Sequence, residues 1–185
     1  PDSTSLTFQL PITEDDQTMI GGSVELQLTL TIGTQLKVEL TSRNIGDTDL
    51  QIGGALHSYF SISDISKTTL TGLDGTPHLN SLTSETSLNS GAIHFDQEYD
   101  RIFQPSSATT QIVDSQLDRT IVIEKSGSLG TTVWNPWITK SKGMADLAND
   151  EYHHFLCVEA INWREDIRLV KPTESHTLAQ TIYLA

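Results

Sequence analysis

Residues 24–32 read VELQLTLTI and alternate apolar and polar side chains along their whole length. The apolar members occupy every second position, so they share one face of an extended strand. After a turn near Gly33 and Thr34, residues 36–41 (LKVELT) repeat the same alternation. Two such runs separated by a short turn predict an antiparallel hairpin with one buried face.

Short runs of the same kind recur along the rest of the chain, each bounded by Gly, Pro, Asp or Asn. Many short strands without intervening helical patterns indicate an all-β fold, an antiparallel β-sandwich, and the whole chain, 1–185, is predicted to form one domain. One helical turn is predicted at Lys142–Leu147, and an exposed loop at residues 81–90. The further predicted strands are Ala55–Ile62, Thr68–Leu73, Thr109–Val113, Thr120–Glu124, Thr131–Trp134, Phe155–Asn162, Ile167–Val170 and His176–Leu184.

The charge balance is strongly acidic. Lys and Arg number 11 against 24 Asp and Glu, which gives a formal net charge of -13. Such a charge repels nucleic acid and anionic lipid, so neither is expected as a partner. It also opposes a phosphorylated substrate, so a phosphate site would need a local cluster of basic residues.

Cysteine content and hydropathy favour a cytoplasmic protein. The single cysteine, Cys157, lies in the apolar run FLCVEAI, which excludes an internal disulfide and favours a reducing compartment. The apolar runs are too short to span a bilayer, and the chain does not start with a secretory signal pattern. His153 and His154 are adjacent and would point to opposite faces of a strand, and no spaced Cys/His set is present, so no metal site is predicted.

The predicted strand 155–162 carries one charged residue on an apolar face. Alternation places Glu159 beside Cys157 and Ile161. A buried carboxylate must be paired, protonated or exposed to a solvent-filled pocket, and in a pocket its pKa would rise towards neutrality, as a general base requires. A structural Glu satisfied by an Arg or by backbone amides is an equally good interpretation.

The predicted strand 55–62 carries a second unusual residue. Alternation places His57 on the same face as Ala55 and Tyr59. An imidazole with an ordinary pKa of about 6.5 is a natural proton donor near pH 7. The residues by themselves favour a structural histidine over a catalytic one.

Two further stretches combine aromatic, amide and charged groups, as a sugar site does. Residues 131–146 read TTVWNPWITKSKGMAD, and residues 98–103 read EYDRIF. Core tryptophans and surface ion pairs explain these residues at least as well. The candidates in these stretches are Trp134, Asn135, Lys140, Lys142, Asp100 and Arg101.

Taken together, the segments ALHSYF, EYDRIF, VWNPWITKSKGMAD, CVEAIN and HTLAQTI resemble the D-hexose-6-phosphate mutarotases. These are the glucose-6-phosphate 1-epimerase branch of the aldose 1-epimerase superfamily. The resemblance runs from about Leu6 to the end of the chain and implies a galactose mutarotase-like supersandwich. Family members carry an additional N-terminal part, so the resemblance implies that the first strands of the sandwich are missing here.

The resemblance also assigns roles to the candidates. His57 and Glu159 would be the catalytic acid and base that interconvert the anomers of a hexose 6-phosphate, without a cofactor. They are expected to lie about one sugar ring apart across an open cleft. The alternatives are a mutarotase for unphosphorylated aldoses and a non-catalytic carbohydrate-binding module. The intact protein is expected to be a monomer, and the residues implied to bind substrate are Tyr59, Asp100, Arg101, Trp134, Asn135 and Lys142.

Overall fold

The computed structural model describes residues 2–185, which form seventeen β-strands, two α-helices and three short 3-10 turns. The helices are α1 (Glu14–Ile20) and α2 (Trp137–Ser141). The strands are β1 (Thr4–Leu10), β2 (Val24–Ile32), β3 (Leu36–Asn44), β4 (Leu50–Ile52), β5 (Gly54–Leu56), β6 (Tyr59–Ser61), β7 (Thr68–Thr71), β8 (Pro77–Asn80), β9 (Thr86–Leu88), β10 (Ile93–His94), β11 (Tyr99–Phe103), β12 (Thr110–Asp114), β13 (Arg119–Ser126), β14 (Gly130–Asn135), β15 (Phe155–Asn162), β16 (Arg168–Val170) and β17 (Ser175–Leu184).

Two large antiparallel sheets dominate the structure, which confirms the predicted sandwich. The first has eight strands in the order β1-β2-β3-β17-β13-β12-β7-β10. The second has the order β5-β15-β14-β11-β8-β9, with β6 also paired to β15. A small sheet joins β16 to β4.

The predicted hairpin is present. Strands β2 and β3 pair from Val24 opposite Asn44 to Ile32 opposite Leu36. Strand β1, which the sequence pattern did not predict, continues the same sheet by pairing along β2. Alternation therefore placed the strand pair correctly, because the turn and one apolar face determine its register. The predicted burial of that face is wrong for most of β2, where only Val24 is buried and Ile32 is 48% exposed.

The main core lies between the two large sheets. Its members come from β7, β12 and β13 on one side and from β6, β11, β14 and β15 on the other. A second cluster, on the opposite face of the second sheet, joins three buried residues to a covering loop. This outer cluster consists of Trp134, Phe155 and Cys157, against which Met144 and Leu147 pack.

The helical segments differ from the sequence prediction. The predicted helical turn at Lys142–Leu147 is wrong: α2 ends at Ser141, and residues 142–147 form turns that place Met144 and Leu147 on the outer cluster. The missed helix α1 (Glu14–Ile20) is capped by Thr13, whose hydroxyl and the Asp16 side chain form a capping box. No helix within residues 2–185 is both long and apolar enough to cross a membrane.

The predicted strand Ala55–Ile62 is two strands, because pairing stops between Leu56 and Tyr59. The predicted exposed loop at residues 81–90 is exposed but contains β9. The interruption in the first of these segments forms part of the candidate site.

Candidate active site

Glu159 is held by the most buried strand of the molecule. All eight residues of β15 are buried, because β14 lies on one side, β5 and β6 lie on the other, and both faces are covered. Glu159 faces Thr132 of β14 and points away from the main core. The strand thus places one carboxylate at a fixed position on the outer face of the second sheet.

The break between β5 and β6 brings His57 opposite that carboxylate. Leu56 pairs with Ala160, and Tyr59 pairs with Cys157. Counting inwards from these pairs puts His57 at the position that faces Glu159. Facing residues on antiparallel strands point to the same side of the sheet, so the two side chains meet.

An inward-pointing serine anchors the break. The Ser58 hydroxyl donates to Oε1 of Gln180, 2.5 Å away, and the Gln180 amide donates to the Val158 carbonyl at 2.9 Å. Gln180 lies on β17 of the first sheet and is only 1% exposed. A buried polar network therefore ties the interrupted strand to the opposite sheet, and Ser58 points inwards where its neighbour His57 points outwards.

His57 and Glu159 are in direct contact. Nε2 of His57 lies 3.2 Å from Oε1 of Glu159, and the side chains are 49% and 7% exposed, respectively. The imidazole stacks on the Tyr59 ring with centroids 4.8 Å apart, and it meets Trp134 edge-on at 5.9 Å. The pair thus combines a solvent-accessible imidazole with a carboxylate that is nearly closed to solvent.

The environment of Glu159 favours its protonated form. Burial raises the pKa of Glu159 to about 7, and the nearby Asp100 carboxylate contributes to the increase. The carboxyl group therefore loses and regains a proton near neutral pH. That property suits a general base, which works best when its pKa lies near the working pH.

Asp100, Trp134 and Lys140 lie on the same face of the sheet as the pair. Asp100 faces Trp134 on β14, and Trp134 faces Cys157 on β15. Nζ of Lys140 lies 3.3 Å from Glu98 and 4.0 Å from Asp100, over the Trp134 ring at 5.7 Å. Three of the predicted substrate-binding residues, Tyr59, Asp100 and Trp134, therefore lie around His57 and Glu159.

The structure does not bring Arg101, Asn135 or Lys142 to the pair. Arg101 follows Asp100 on β11 and points to the opposite face of the sheet, where it contacts Tyr99. Asn135 is fully buried, and its amide donates to the carbonyls of Tyr152 and Phe155, so it anchors the chain. Lys142 is exposed at the end of α2 and forms no ion pair with the site residues of the described chain, 2–185. Arg101 and Asn135 are adjacent in sequence to Asp100 and Trp134, but successive residues of a strand point to opposite faces of the sheet.

A cavity of about 580 Å³ lies next to Tyr59 and Trp134, the ring neighbours of His57, although neither His57 nor Glu159 is part of its wall. Its walls include the rings of Tyr59, Trp134 and Phe155 and the carboxylates of Asp146 and Glu151. Aromatic rings can pack against the apolar face of a pyranose, and carboxylates can accept hydrogen bonds from its hydroxyl groups. The same carboxylates would repel a phosphate placed there.

The predicted ring-sized gap between His57 and Glu159 is wrong, because the two side chains touch. The reacting oxygens of an aldopyranose, the anomeric hydroxyl and the ring oxygen, are bonded to the same carbon. An acid and a base that serve both oxygens can therefore lie close together. The expected separation overlooked that geometry.

Sequence reasoning missed Ser58 and Gln180, which position the strand that carries His57. Ser58 lay within the quoted ALHSYF segment, but its partner is 122 residues away along the chain. The available signal was Gln180 itself, a polar residue among the alternating apolar residues of the last strand.

Within residues 2–185, no three His, Cys, Asp or Glu side chains come together as a metal-binding group.

Comparison with known proteins agrees with this fold. Residues 1–183 match the family Aldose 1-epimerase, and the chain belongs to that family. A crystal structure of a "putative mutarotase" from Salmonella typhimurium superposes on the whole chain with a TM-score of 0.89 at 27% identity; the chain covers 61% of that protein.

Two curated relatives carry the name "Putative glucose-6-phosphate 1-epimerase". The protein from Cenchrus ciliaris is 32% identical over 87% of this chain, which covers 50% of that protein. The protein from Escherichia coli K12 is 28% identical over the full chain, which covers 61% of it. The chain thus spans about half to three fifths of the length of these relatives.

Proposed function

We propose that the protein interconverts the α and β anomers of a hexose, with Glu159 as general base and His57 as general acid. The observation that carries the proposal is the contact between the two side chains: an open imidazole lies 3.2 Å from a buried carboxylate. The pKa of that carboxylate, raised to about 7, supports its role as a base near neutral pH.

In the proposed reaction, the ionised Glu159 removes the proton of the anomeric hydroxyl while protonated His57 donates to the ring oxygen. The bond between C1 and the ring oxygen breaks, and an open-chain aldehyde forms. Rotation about the C1–C2 bond presents the other face of the aldehyde. Ring closure then reverses both proton transfers and returns the acid and base to their starting forms.

Asp100, Tyr59 and Trp134 are proposed to bind the sugar. Tyr59 and Trp134 offer ring surfaces beside His57, and Asp100 can accept hydrogen bonds from sugar hydroxyl groups. Nζ of Lys140 lies near both the Asp100 and the Glu98 carboxylates, so its charge is shared between them. These neighbours would hold C1 over the catalytic pair.

The proposed substrate is a hexose 6-phosphate, as the names of the curated relatives suggest. The charges beside the pair weaken this finer assignment. Lys140 is already paired with carboxylates, and Arg101 points to the other face of the sheet. An unphosphorylated hexose is therefore the alternative substrate that the structure favours.

The test is anomer exchange followed by NMR or polarimetry in the Glu159→Gln and His57→Gln variants. Each substitution removes one positioned proton transfer, so each should slow the catalysed exchange by about 10² to 10⁴. Matched controls are Glu25→Gln on β2 and His153→Gln, which remove the same groups outside the site and should leave exchange unchanged. Near-normal exchange in either site variant would rule out the assigned roles.

Measuring exchange for glucose and glucose 6-phosphate side by side distinguishes the two substrates. A higher kcat/KM for the phosphorylated sugar supports the finer proposal, and a higher value for glucose removes it. Sugar binding without any acceleration of exchange would instead identify a carbohydrate-binding module. Retention of binding in Glu159→Gln would then be expected.

A further inference from the structure

A second polar cavity lies on the opposite face of the sheet from Glu159, at the side of the sandwich. It occupies about 300 Å³ where β9 ends one sheet and β10 ends the other. Residues 89–92 cross between these edge strands and cover it. Its wall includes the side chains of Arg101, His78, Ser87, Asn89 and Asp96.

Arg101 provides an unneutralised positive charge in this cavity. Its guanidinium lies over the Tyr99 ring, 4.4 Å from the centroid, and donates to the Tyr99 hydroxyl at 3.2 Å. Among residues 2–185, no carboxylate lies within 4.0 Å of it. Three of the other four arginines contact a carboxylate, Arg43 with Glu25, Arg119 with Asp114 and Arg168 with Asp166, whereas Arg164 lies over the Trp163 ring.

His78 is the second polar group in the cavity wall. It lies on β8 on the same face as Arg101 and is only 6% exposed. Its Nε2 is 3.1 Å from the Ser87 hydroxyl, while its Nδ1 is buried without a hydrogen-bonding partner. Burial and the nearby Arg101 charge lower the pKa of His78, which favours the neutral ring. An unpaired buried nitrogen is unusual and marks the site as unsatisfied.

The covering segment is held in place by its own hydrogen bonds. The Asn89 amide donates to the carbonyls of Leu73 and Gly91, and the Gly91 backbone N–H donates to the Asp74 carboxylate at 2.6 Å. The Asn89 backbone N–H donates to the Thr76 carbonyl. The cavity therefore exists before any ligand arrives, which lowers the entropic cost of binding.

We propose that this cavity binds the dianionic phosphate group of inorganic phosphate or of a phosphate ester, with the Arg101 guanidinium as its principal ligand. Arginine binds phosphate through parallel charge-assisted hydrogen bonds, and hydroxyls such as that of Ser87 complete such sites. The Asp96 carboxylate in the wall and the net charge of -13 oppose the ligand, so the affinity is expected to be modest. The proposal is independent of the proposed catalytic site, which uses the other face of the sheet.

The test is titration of the whole chain with inorganic phosphate, followed by NMR of the arginine side-chain and histidine ring signals and by calorimetry. Phosphate should shift the signals of Arg101 and His78 in the unmodified protein and leave those of His57 unchanged. Arg101→Gln should weaken binding at least about tenfold, as expected for losing a charge-assisted hydrogen bond. Arg101→Lys should retain part of the affinity, and the control Arg43→Gln, which removes the same charge elsewhere, should retain it fully.

Three results would overturn the proposal. One is the absence of shifts at Arg101 and His78 at saturating phosphate in the unmodified protein, a measurement that does not depend on any variant folding. The second is equal weakening in Arg101→Gln and Arg43→Gln, which would indicate a general charge effect. The third is loss of binding in His57→Gln, which would place the anion at the candidate active site. Repeating the titration with glucose 6-phosphate on His57→Gln tells whether a phosphate ester binds as inorganic phosphate does.

Discussion

The two strands that carry the proposed acid and base differ in almost every physical respect. Strand β15 is continuous and buried along its whole length, whereas the segment that carries His57 is interrupted between β5 and β6. Burial on the first raises the pKa of Glu159, and the interruption on the second leaves His57 open to solvent. A rigid strand holds the carboxylate, and a break in its neighbour exposes the imidazole.

The largest expected effect on stability comes from the core side of β15. Leu156→Ala removes a fully buried side chain and should destabilise the protein by about 2 to 5 kcal/mol. The control Leu117→Ala, in a turn with 54% of the residue exposed, should cost less than about 0.5 kcal/mol. Chemical denaturation measures both. Equal effects would mean that β15 does not form the rigid half of the site.

A second prediction concerns pH. Because the folded-state pKa of Glu159 lies above its unfolded value of 4.5, the folded protein binds this proton more tightly. Its contribution to stability is therefore fully present below about pH 4.5 and is lost as the pH rises through about 7. Glu159→Gln removes that loss, so thermal unfolding at pH 8 and pH 5 should show a smaller decrease in stability with pH for the variant. An unchanged pH dependence would contradict the raised pKa.

A third prediction concerns the anchored break. Ser58→Ala leaves Oε1 of buried Gln180 without its donor, which should cost about 1 to 3 kcal/mol. It should also reduce kcat of anomer exchange, because the hydrogen bond from Ser58 to Gln180 holds the backbone next to His57 in place. Ser115→Ala, whose hydroxyl donates to an exposed backbone carbonyl, is the matched control and should do neither. Normal stability in Ser58→Ala would show that the break is held by other contacts.

The smallest expected effect is a shift in a pH profile. Asp100 raises the pKa of Glu159 by charge repulsion, after burial. Asp100→Asn should therefore move the acidic limb of the kcat profile to lower pH, in addition to any loss of sugar binding. The profile measured with saturating sugar separates the two effects. A limb that stays in place would assign the raised pKa to burial alone.

Strand alternation predicted much of this arrangement. It placed the β2–β3 hairpin, and it identified Glu159 as a charge among the apolar residues of β15. His57 became a candidate only through the resemblance of ALHSYF to a known family. The prediction that Arg101 binds the sugar beside Asp100 is wrong. Asp100 and Arg101 are consecutive in β11, so alternation already places their side chains on opposite faces of the sheet.

The sequence by itself determined the sandwich class and the two residues of the proposed pair, because alternation and local motifs depend on near neighbours. Only the tertiary structure decided that His57 and Glu159 touch, that Gln180 anchors the break and that Arg101 lies in a separate cavity. Those facts depend on pairing between strands about a hundred residues apart and on burial from both sheets. Long-range contacts of this kind set the pKa of Glu159, and no local pattern encodes them.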